Sequence, residues 1–448
     1  MSRSKLFSKN SKRTGNRSHG CRCSCICLPA AESNRYFHLL ERHPYLCSLF
    51  VCLLLNALYF GGEAYLAQNA VLLETLALLA AGAAVLWRLV RYQPQKKPAA
   101  VCVSVVYTLL VLAGAWCYHK ARHSGLWVLV GGCAVLSGLF WLTRKQYHNQ
   151  RRRVSLLLLG TSFLLKFFYV CYTPITRRQH DVGKFGDADN HAGYITYLLQ
   201  HHQLPDFDPR GHWQFYHPPL HHMISALWLW LSEHVFGISN AAAQESLQTL
   251  SLFYAMAIVI TAYRILRHFR LEGMALYVPL AVGAFHPGFI LFSGSINNDA
   301  LSVVFILGAV LWTLKWYEKQ TWEGIVKIAL CIGLGMMTKL SAAMVAIPVA
   351  AVFLVVLVRQ RNWRILGQFG GFAVICFPLG LWYPVRNLVR FGVPLTYVQE
   401  MPENSVQYLG KQSFLSRILD FSPHQVASVF EQWVQRTGGS YNEYNPLI

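Results

Sequence analysis

Long apolar segments separated by short polar stretches make up most of the chain. They lie at 45–60, 70–90, 100–118, 124–142, 154–172, 246–266, 273–293, 300–317, 324–338, 341–358 and 366–385. Several of them approach the ~20 residues that an α-helix needs to cross a bilayer. The pattern therefore predicts an all-α membrane protein, a polytopic helical bundle with about 11 transmembrane helices.

One further segment, 217–236, is apolar enough to span a membrane but contains charged and titratable side chains (His221, His222, Glu233 and His234). If it does not span, more than half of the 40 lysines and arginines fall on the same side as the N-terminus. If it did span, the basic clusters at 264–270, 315–319 and 359–364 would move to the outside, against the positive-inside rule. We therefore expect 217–236 to form an amphipathic juxtamembrane helix on the outer surface.

This topology divides the chain into four regions, with the N-terminus inside and the C-terminus outside. Residues 1–44 are expected to form a disordered basic cytoplasmic tail, and 45–153 four additional N-terminal transmembrane helices. The transmembrane core is predicted at 154–385, with a large outer loop at 173–245, and 386–448 follow as a second polar outer segment. The last residues, Asn445-Pro446-Leu447-Ile448, read as if another apolar segment were beginning, which suggests a truncated chain.

The composition excludes two common classes of protein. Of 448 residues, 54% are hydrophobic and only 13% are charged, whereas a soluble domain carries roughly 25% charged residues. The net charge of +20 invites comparison with nucleic-acid-binding proteins, which concentrate basic residues on one face of a folded module. Here the basic residues lie in short clusters between apolar segments, so we predict contact with membrane lipid and none with nucleic acid.

The chemically richest part of the sequence is the outer loop at 173–245. It contains three aspartates soon after a predicted span (Asp181, Asp187 and Asp189) and then the sequence Tyr216-His217-Pro218-Pro219-Leu220. Proline is favourable at the first positions of a helix, which places His217 near an N-terminus whose free N–H groups attract anions such as phosphate. The loop therefore combines candidate bases with a candidate anion site.

Several motifs together resemble those of the GT-C glycosyltransferases. The acid-rich loop with His217-Pro218-Pro219-Leu220 is similar to that of the protein O-mannosyltransferase and lipid A aminoarabinose transferase branch, a glycosyltransferase family 39-like group. The other matching stretches are His286-Pro287 with 294–299, then 335–339, then Trp382-Tyr383-Pro384-Val385-Arg386-Asn387 with 391–394. The resemblance covers about 154–400 and leaves out the four N-terminal spans.

The resemblance implies a GT-C fold and a membrane transferase, inverting and mannosyltransferase-like, that takes its sugar from a polyprenyl phosphate. The acceptor would be a protein, lipid or glycan on the outer face of the membrane. An acid in the first outer loop would serve as the general base. The family's Asp-Glu pair stands here as Asp189-Asn190, so we predict Asp181 or Asp189 as the base, with Asp187 behind both.

The chemistry of the transfer points to further candidate residues. A departing phosphate needs cations or N–H donors, and His217, Lys339 and Arg386 all fall at the outer boundary of the predicted membrane. Lys339 could instead be a lysine whose amine reaches the interface, and Arg386 an interfacial anchor. The other predicted substrate-binding residues are His191, Tyr194, Tyr216, His221, Asn298 and Asp299, although Asn298 and Asp299 could simply form a turn that caps the next helix.

We assign no cofactor and no metal ligands from the sequence. His217 and His221 share a helical face and could bind zinc, and a divalent cation is an open alternative. Two other functions compete with sugar transfer: a transporter or flippase of lipid-linked sugars, and a non-catalytic membrane scaffold. For the location we favour a bacterial inner membrane over the endoplasmic reticulum.

Overall fold

The computed structural model describes residues 42–59, 150–172, 175, 182–395 and 397. All regular elements within these residues are helices, as the sequence predicts. The predicted spans at 70–90, 100–118 and 124–142 lie outside the described residues, as do the N-terminal tail and nearly all of the last segment. The expected total of about 11 spans therefore stays a prediction.

We number the helices of the described part α1 to α12. The first five are α1 (Pro44–Tyr59), α2 (Gln150–Tyr172), α3 (Asn190–His201), α4 (Leu220–Trp230) and α5 (Asn240–Ser246). The others are α6 (Gln248–His268), α7 (Met274–Phe285), α8 (Pro287–Leu291), α9 (Asp299–Glu318), α10 (Trp322–Thr338), α11 (Ala346–Gln360) and α12 (Arg364–Phe391). A 3₁₀ turn at Leu340–Val345 precedes α11, and a π-helical turn at Leu231–Val235 extends α4.

Four helical stretches are long and apolar enough to cross a membrane: Asn240–His268, Asp299–Glu318, Leu340–Gln360 and Arg364–Phe391. Three shorter apolar helices lie at Pro44–Asn56, Val154–Phe167 and Met274–Phe285. The apolar segment predicted at 324–338 forms α10, a helix of 17 residues. These elements are those of an integral, multi-pass membrane protein.

The segment at 273–293 does not form the single helix that its apolar run predicts. It breaks at His286, whose backbone is extended, between the end of α7 and the start of α8. Pro287 opens α8, where its missing N–H is not needed, and the His286 Nδ1 atom accepts a hydrogen bond from the Gly288 N–H at 3.1 Å. The continuous span is thus wrong, because apolar periodicity carries no information about a proline break.

A buried lysine hydrogen-bonds the end of α7 at this break. The Lys166 side chain on α2 is fully buried, and its Nζ atom donates to the Ala284 carbonyl at 2.8 Å and to the Ser162 hydroxyl at 2.7 Å. Carbonyls in the last turn of a helix have no partner within that helix. Lys166 therefore provides the hydrogen-bond donor for a carbonyl that the break in the helix leaves without a partner.

The surface helix α4 turns its polar side inward. His221, His222 and Ser225 are buried, whereas Met223 and Leu227 are exposed. This is the reverse of an amphipathic helix on a soluble protein, while the expected position of α4 in the membrane interface stays a prediction. Because α4 packs against α3, the inward side chains are directed into the outer loop.

Helices α10 and α12 make the most extensive contact of the bundle. A Cβ atom added to Gly333 would lie 2.9 Å from the Leu379 Cβ atom, and one added to Gly380 would lie 2.8 Å from the Met336 Sδ atom. Small residues at such positions allow membrane helices to approach closely. The close approach fixes the ends of both helices relative to each other.

The basic ends of several helices meet at one end of this bundle. Arg359 at the end of α11 donates to the Tyr317 hydroxyl on α9 at 2.9 Å. His268 at the end of α6 lies 3.5 Å from the carboxylate of Glu318. Since α9 begins at Asp299 and α10 ends at Thr338, both residues lie at the opposite end, where a cavity opens.

Candidate active site

The cavity has a volume of about 590 Å³. Its walls come from the outer loop, the start of α9, the end of α10, the end of α12 and the residues after it. The lining residues include His191, Trp213, Gln214, Tyr216, His217, Asn297, Asp299, Lys339, Ser341, Tyr383, Asn387 and Tyr397. Four regions distant in sequence thus contribute polar and aromatic side chains to one space of the size that small-molecule sites have.

An ion pair forms one wall of the cavity. The Lys339 Nζ atom donates to Asp299 Oδ1, and the Asn298 side-chain amide donates to the Thr338 carbonyl at 3.1 Å. These contacts hold the first residue of α9 beside the last residue of α10. Among the described residues that line the cavity, Asp299 is the sole carboxylate and Lys339 the sole permanent cation. The wall therefore carries two opposite charges that cancel.

A group of stacked histidines forms a second wall, in which His191 and His217 line the cavity. The His191 Nδ1 atom shares a hydrogen bond of 2.8 Å with His222 Nε2, and the His191 ring stacks on that of His217 at 6.0 Å between centroids. Burial, and then the neighbouring histidines, hold the pKa of His191 well below its usual value. Burial likewise lowers the pKa of His222, and it lowers that of His221 to about 4. These three histidines are therefore neutral at physiological pH.

Two buried tyrosines connect the loop to α12. The Tyr194 hydroxyl on α3 donates to the Tyr383 hydroxyl on α12 at 3.1 Å. Tyr383 in turn donates to the Phe215 carbonyl at 2.8 Å, and the Tyr194 ring stacks on the rings of Phe215 and His222. This chain of hydrogen bonds holds the loop wall at 213–218 against α12.

Asp189 lies at the start of α3, beside the loop wall. Its Oδ1 atom accepts from the Trp213 N–H at 3.1 Å and lies 3.3 Å from His212 Nδ1. The Asn190 N–H donates to the Trp213 carbonyl at 3.0 Å, so two adjacent residues hold Trp213 in place. Asp189 is not among the residues that line the cavity, although Trp213 is.

The match to a protein family falls on a segment that includes part of this site, with the Asp299–Lys339 pair. Residues 217–382 match the family described as dolichyl-phosphate-mannose-protein mannosyltransferase. This match supports a GT-C glycosyltransferase of the protein mannosyltransferase-like branch. No curated protein and no solved structure matches the chain.

The protein mannosyltransferase-like segment includes five of the predicted substrate-binding residues that lie at or next to the cavity. His217, Asp299 and Lys339 line it, while Asn298 and His221 lie behind the lining. From the loop before the matched segment, His191 and Tyr216 line the cavity, and Tyr194 is buried behind it. The described structure thus places eight of the nine predicted residues around one space.

The remaining predicted residues lie elsewhere. Arg386 does not line the cavity: its guanidinium donates to the Pro205 carbonyl and, at 3.0 Å, to Asn387 Oδ1. Asp187 accepts from the Lys184 N–H in an exposed turn, and Asp181 lies outside the described residues. His217 precedes the N-terminus of α4 by three residues instead of opening the helix.

Several lining residues are not among those predicted from the sequence, above all Gln214, Asn387 and Tyr397. Asn387 and Tyr383 belong to a motif that carries the family resemblance, and that signal could have identified them. Gln214 and Tyr397 have no such signal. Among the described residues, no group of three or more His, Cys, Asp or Glu side chains could hold a metal ion, so the geometry gives no support to zinc at His217 and His221.

Proposed function

We propose that the protein is an integral membrane transferase that moves a sugar, mannose in the first instance, from a dolichyl or related polyprenyl phosphate to an acceptor. The acceptor, a protein, lipid or glycan, lies at the outer face, and the reaction inverts the anomeric centre. The family match supports a membrane glycosyltransferase that uses a dolichyl-phosphate sugar. The observation that carries the proposal is the cavity. Lys339, the single cation among its described lining residues, lies at the helix ends remote from the basic clusters.

In this proposal Lys339 binds the donor phosphate. The phosphate of a lipid-linked sugar lies at the membrane boundary, because its tail stays in the hydrocarbon. Lys339 is at the end of α10, part of its side chain is exposed to the cavity, and charge-assisted hydrogen bonds to phosphate are roughly twice as strong as neutral ones. His217, also in the lining, would donate a further hydrogen bond.

The sugar would lie between the ion pair and the histidines. His191 and His217 present ring nitrogens, and Asn297, Gln214 and Asn387 present side-chain amides. Such neutral groups suit the hydroxyls of a sugar, since they donate and accept hydrogen bonds without a charge. We assign Arg386 a positioning role, because its guanidinium joins α12 to the loop at residue 205.

The general base is proposed to be a loop aspartate, Asp181 or Asp189. A base removes the proton of the acceptor as its oxygen or nitrogen attacks the sugar. For Asp189 the support is its place beside the cavity wall, where only Oδ1 takes part in the contacts with His212 and Trp213. The carboxylate would then both support Trp213 and receive a proton.

The proposal is tested with the purified full-length protein and labelled dolichyl-phosphate-mannose. We would offer serine- and threonine-containing peptides, glycans and lipid extracts as acceptors and measure labelled product. Lys339→Gln should weaken donor binding by about 10- to 100-fold. Lys327→Gln is the matched control, since Lys327 lies on the same helix and pairs with Glu323 away from the cavity.

Three outcomes would count against the proposal. Wild-type protein that consumes no donor with any acceptor would remove the transferase assignment. Movement of intact donor across a vesicle membrane without consumption would favour a flippase instead. Equal donor affinity in Lys339→Gln and Lys327→Gln, with both proteins folded, would return Lys339 to the role of an interfacial lysine.

A further inference from the structure

The cation that would bind the donor phosphate already has an anionic partner. Lys339 pairs with Asp299, and the two side chains are 29% and 35% exposed, so ligands in the cavity can reach both. No other carboxylate among the described residues lines this space. Any phosphate on Lys339 must therefore lie close to the negative charge of Asp299.

The charge of the lipid phosphate changes during transfer. In the donor the phosphate links the lipid to the sugar and is a diester with one negative charge. Transfer breaks the bond between the anomeric carbon and the phosphate oxygen, and that oxygen keeps the electron pair. The acceptor forms the new bond to the anomeric carbon and loses its proton to the base. The product is a lipid phosphate monoester, with a charge of about −1.5 to −2 at pH 7.

We propose that Asp299 discriminates between donor and product by their charge, an inference that rests on the proposed function. With Lys339 alone, the more negative product would bind more tightly than the donor and would inhibit the enzyme. The fixed carboxylate beside Lys339 repels the second charge of the monoester more than the single charge of the diester. Asp299 is thus a specificity-determining residue that weakens product binding and hastens its release.

The local structure keeps Asp299 in this position. Its N–H donates to Asn297 Oδ1 at 3.2 Å, and Asn298 ties the start of α9 to the Thr338 carbonyl. These bonds fix the backbone of Asp299 at the junction between α9 and α10, where its carboxylate pairs with Lys339. A phosphate that enters shares Lys339 with Asp299 and is exposed to its charge throughout.

The test compares two probes on the full-length protein in detergent: dolichyl phosphate, and its methyl phosphodiester. They differ in charge and by a single methyl group. Wild-type protein is expected to bind them with similar affinity. Asp299→Asn should bind both more tightly and prefer the monoester by about tenfold, the size of a change of about 1.4 kcal/mol. Glu323→Gln is the control. It removes the carboxylate that pairs with Lys327 on α10, away from the cavity, and should behave like wild type.

Kinetics supply an independent readout. With dolichyl-phosphate-mannose as donor, Asp299→Asn should show a lower KM, a lower kcat and about tenfold stronger inhibition by added dolichyl phosphate. If the Lys339–Asp299 pair only held the helices together, Asp299→Asn and Lys339→Gln would lose the same affinity for both probes. This result would overturn the proposal. An unchanged preference between the probes in Asp299→Asn would also overturn it.

Wild-type protein alone provides a test if Asp299→Asn does not fold. A preference of wild type for the monoester by tenfold or more would contradict discrimination by Asp299. If the probes bind as expected but no acceptor is glycosylated, the charge discrimination stands and the proposed transfer fails. If wild type binds neither probe, both are wrong.

Discussion

The hydrogen-bonded tyrosines predict an unequal pair of stability effects. Tyr383→Phe keeps the ring but removes the hydroxyl that accepts from Tyr194 and donates to the Phe215 carbonyl. Tyr194→Phe removes only the outer donor and leaves the bond to Phe215 intact. Both hydroxyls are buried, so an abandoned partner is left without the water that could replace the lost bond.

The magnitude follows from the count of bonds and abandoned groups. A net hydrogen bond contributes about 1 kcal/mol, and a buried polar group left without its partner costs about 1–3 kcal/mol. Tyr383→Phe should therefore lower the free energy of unfolding by about 2–6 kcal/mol, because it abandons both the Tyr194 hydroxyl and the Phe215 carbonyl. Tyr194→Phe should cost about 1 kcal/mol, because the hydroxyl of Tyr383 loses only a donor.

Equilibrium unfolding of the purified variants by sodium dodecyl sulfate in mixed micelles, followed by circular dichroism, measures this difference. The double variant should cost no more than Tyr383→Phe, since the two side chains share one bond. Tyr194→Phe that destabilises the protein as much as Tyr383→Phe would refute the connected chain. Additive effects in the double variant would do the same.

Three further predictions concern the loop and the bundle. Asp189→Asn should retain the bond from Trp213 but lose about 10²- to 10⁴-fold in transfer rate if Asp189 is the base, whereas near-normal turnover would leave it only a support of the loop. Because the folded-state pKa of His191 is lowered, the unfolded chain binds protons below about pH 6.5 that the folded one does not. Unfolding measured between pH 7.5 and 5.5 should show stability falling with acidification, and the total fall over this range should be about 1.4 kcal/mol smaller in His191→Gln; an equal fall would contradict a neutral His191. Gly333→Ala should cost about 1–3 kcal/mol by separating α10 from α12, and Gly370→Ala, whose Cβ atom meets nothing within 4 Å, is the control that should leave the midpoint unchanged.

The sequence predicts the helices better than it predicts the contacts between them. Long apolar runs predict spans, and basic clusters predict their direction, because the bilayer constrains both. They also place Asp299 and Lys339 at one boundary. The pairing of these two residues, 40 positions apart, depends on how α9 and α10 pack, which hydropathy does not encode.

The aspartates and the tyrosines show the same limit. A carboxylate soon after a span is a plausible base, yet Asp189 contacts Trp213 and His212 beside the cavity. Tyr194 and Tyr383 are 189 residues apart, and no local pattern joins them. Residue type and boundary position can suggest a site, while the partners of each side chain follow from tertiary packing.

Lys166 has a consequence for the way the chain enters the membrane. A lysine in the middle of an isolated span costs up to about 3 kcal/mol on insertion, and within α2 its amine has Ser162 as a partner. The Ala284 carbonyl, which accepts the second hydrogen bond from this amine, lies 118 residues further along the chain. Helix α2 should therefore insert weakly when it leaves the ribosome and become firmly held only after α7 has been synthesised. The order of synthesis leaves an interval in which α2 depends on the insertion machinery.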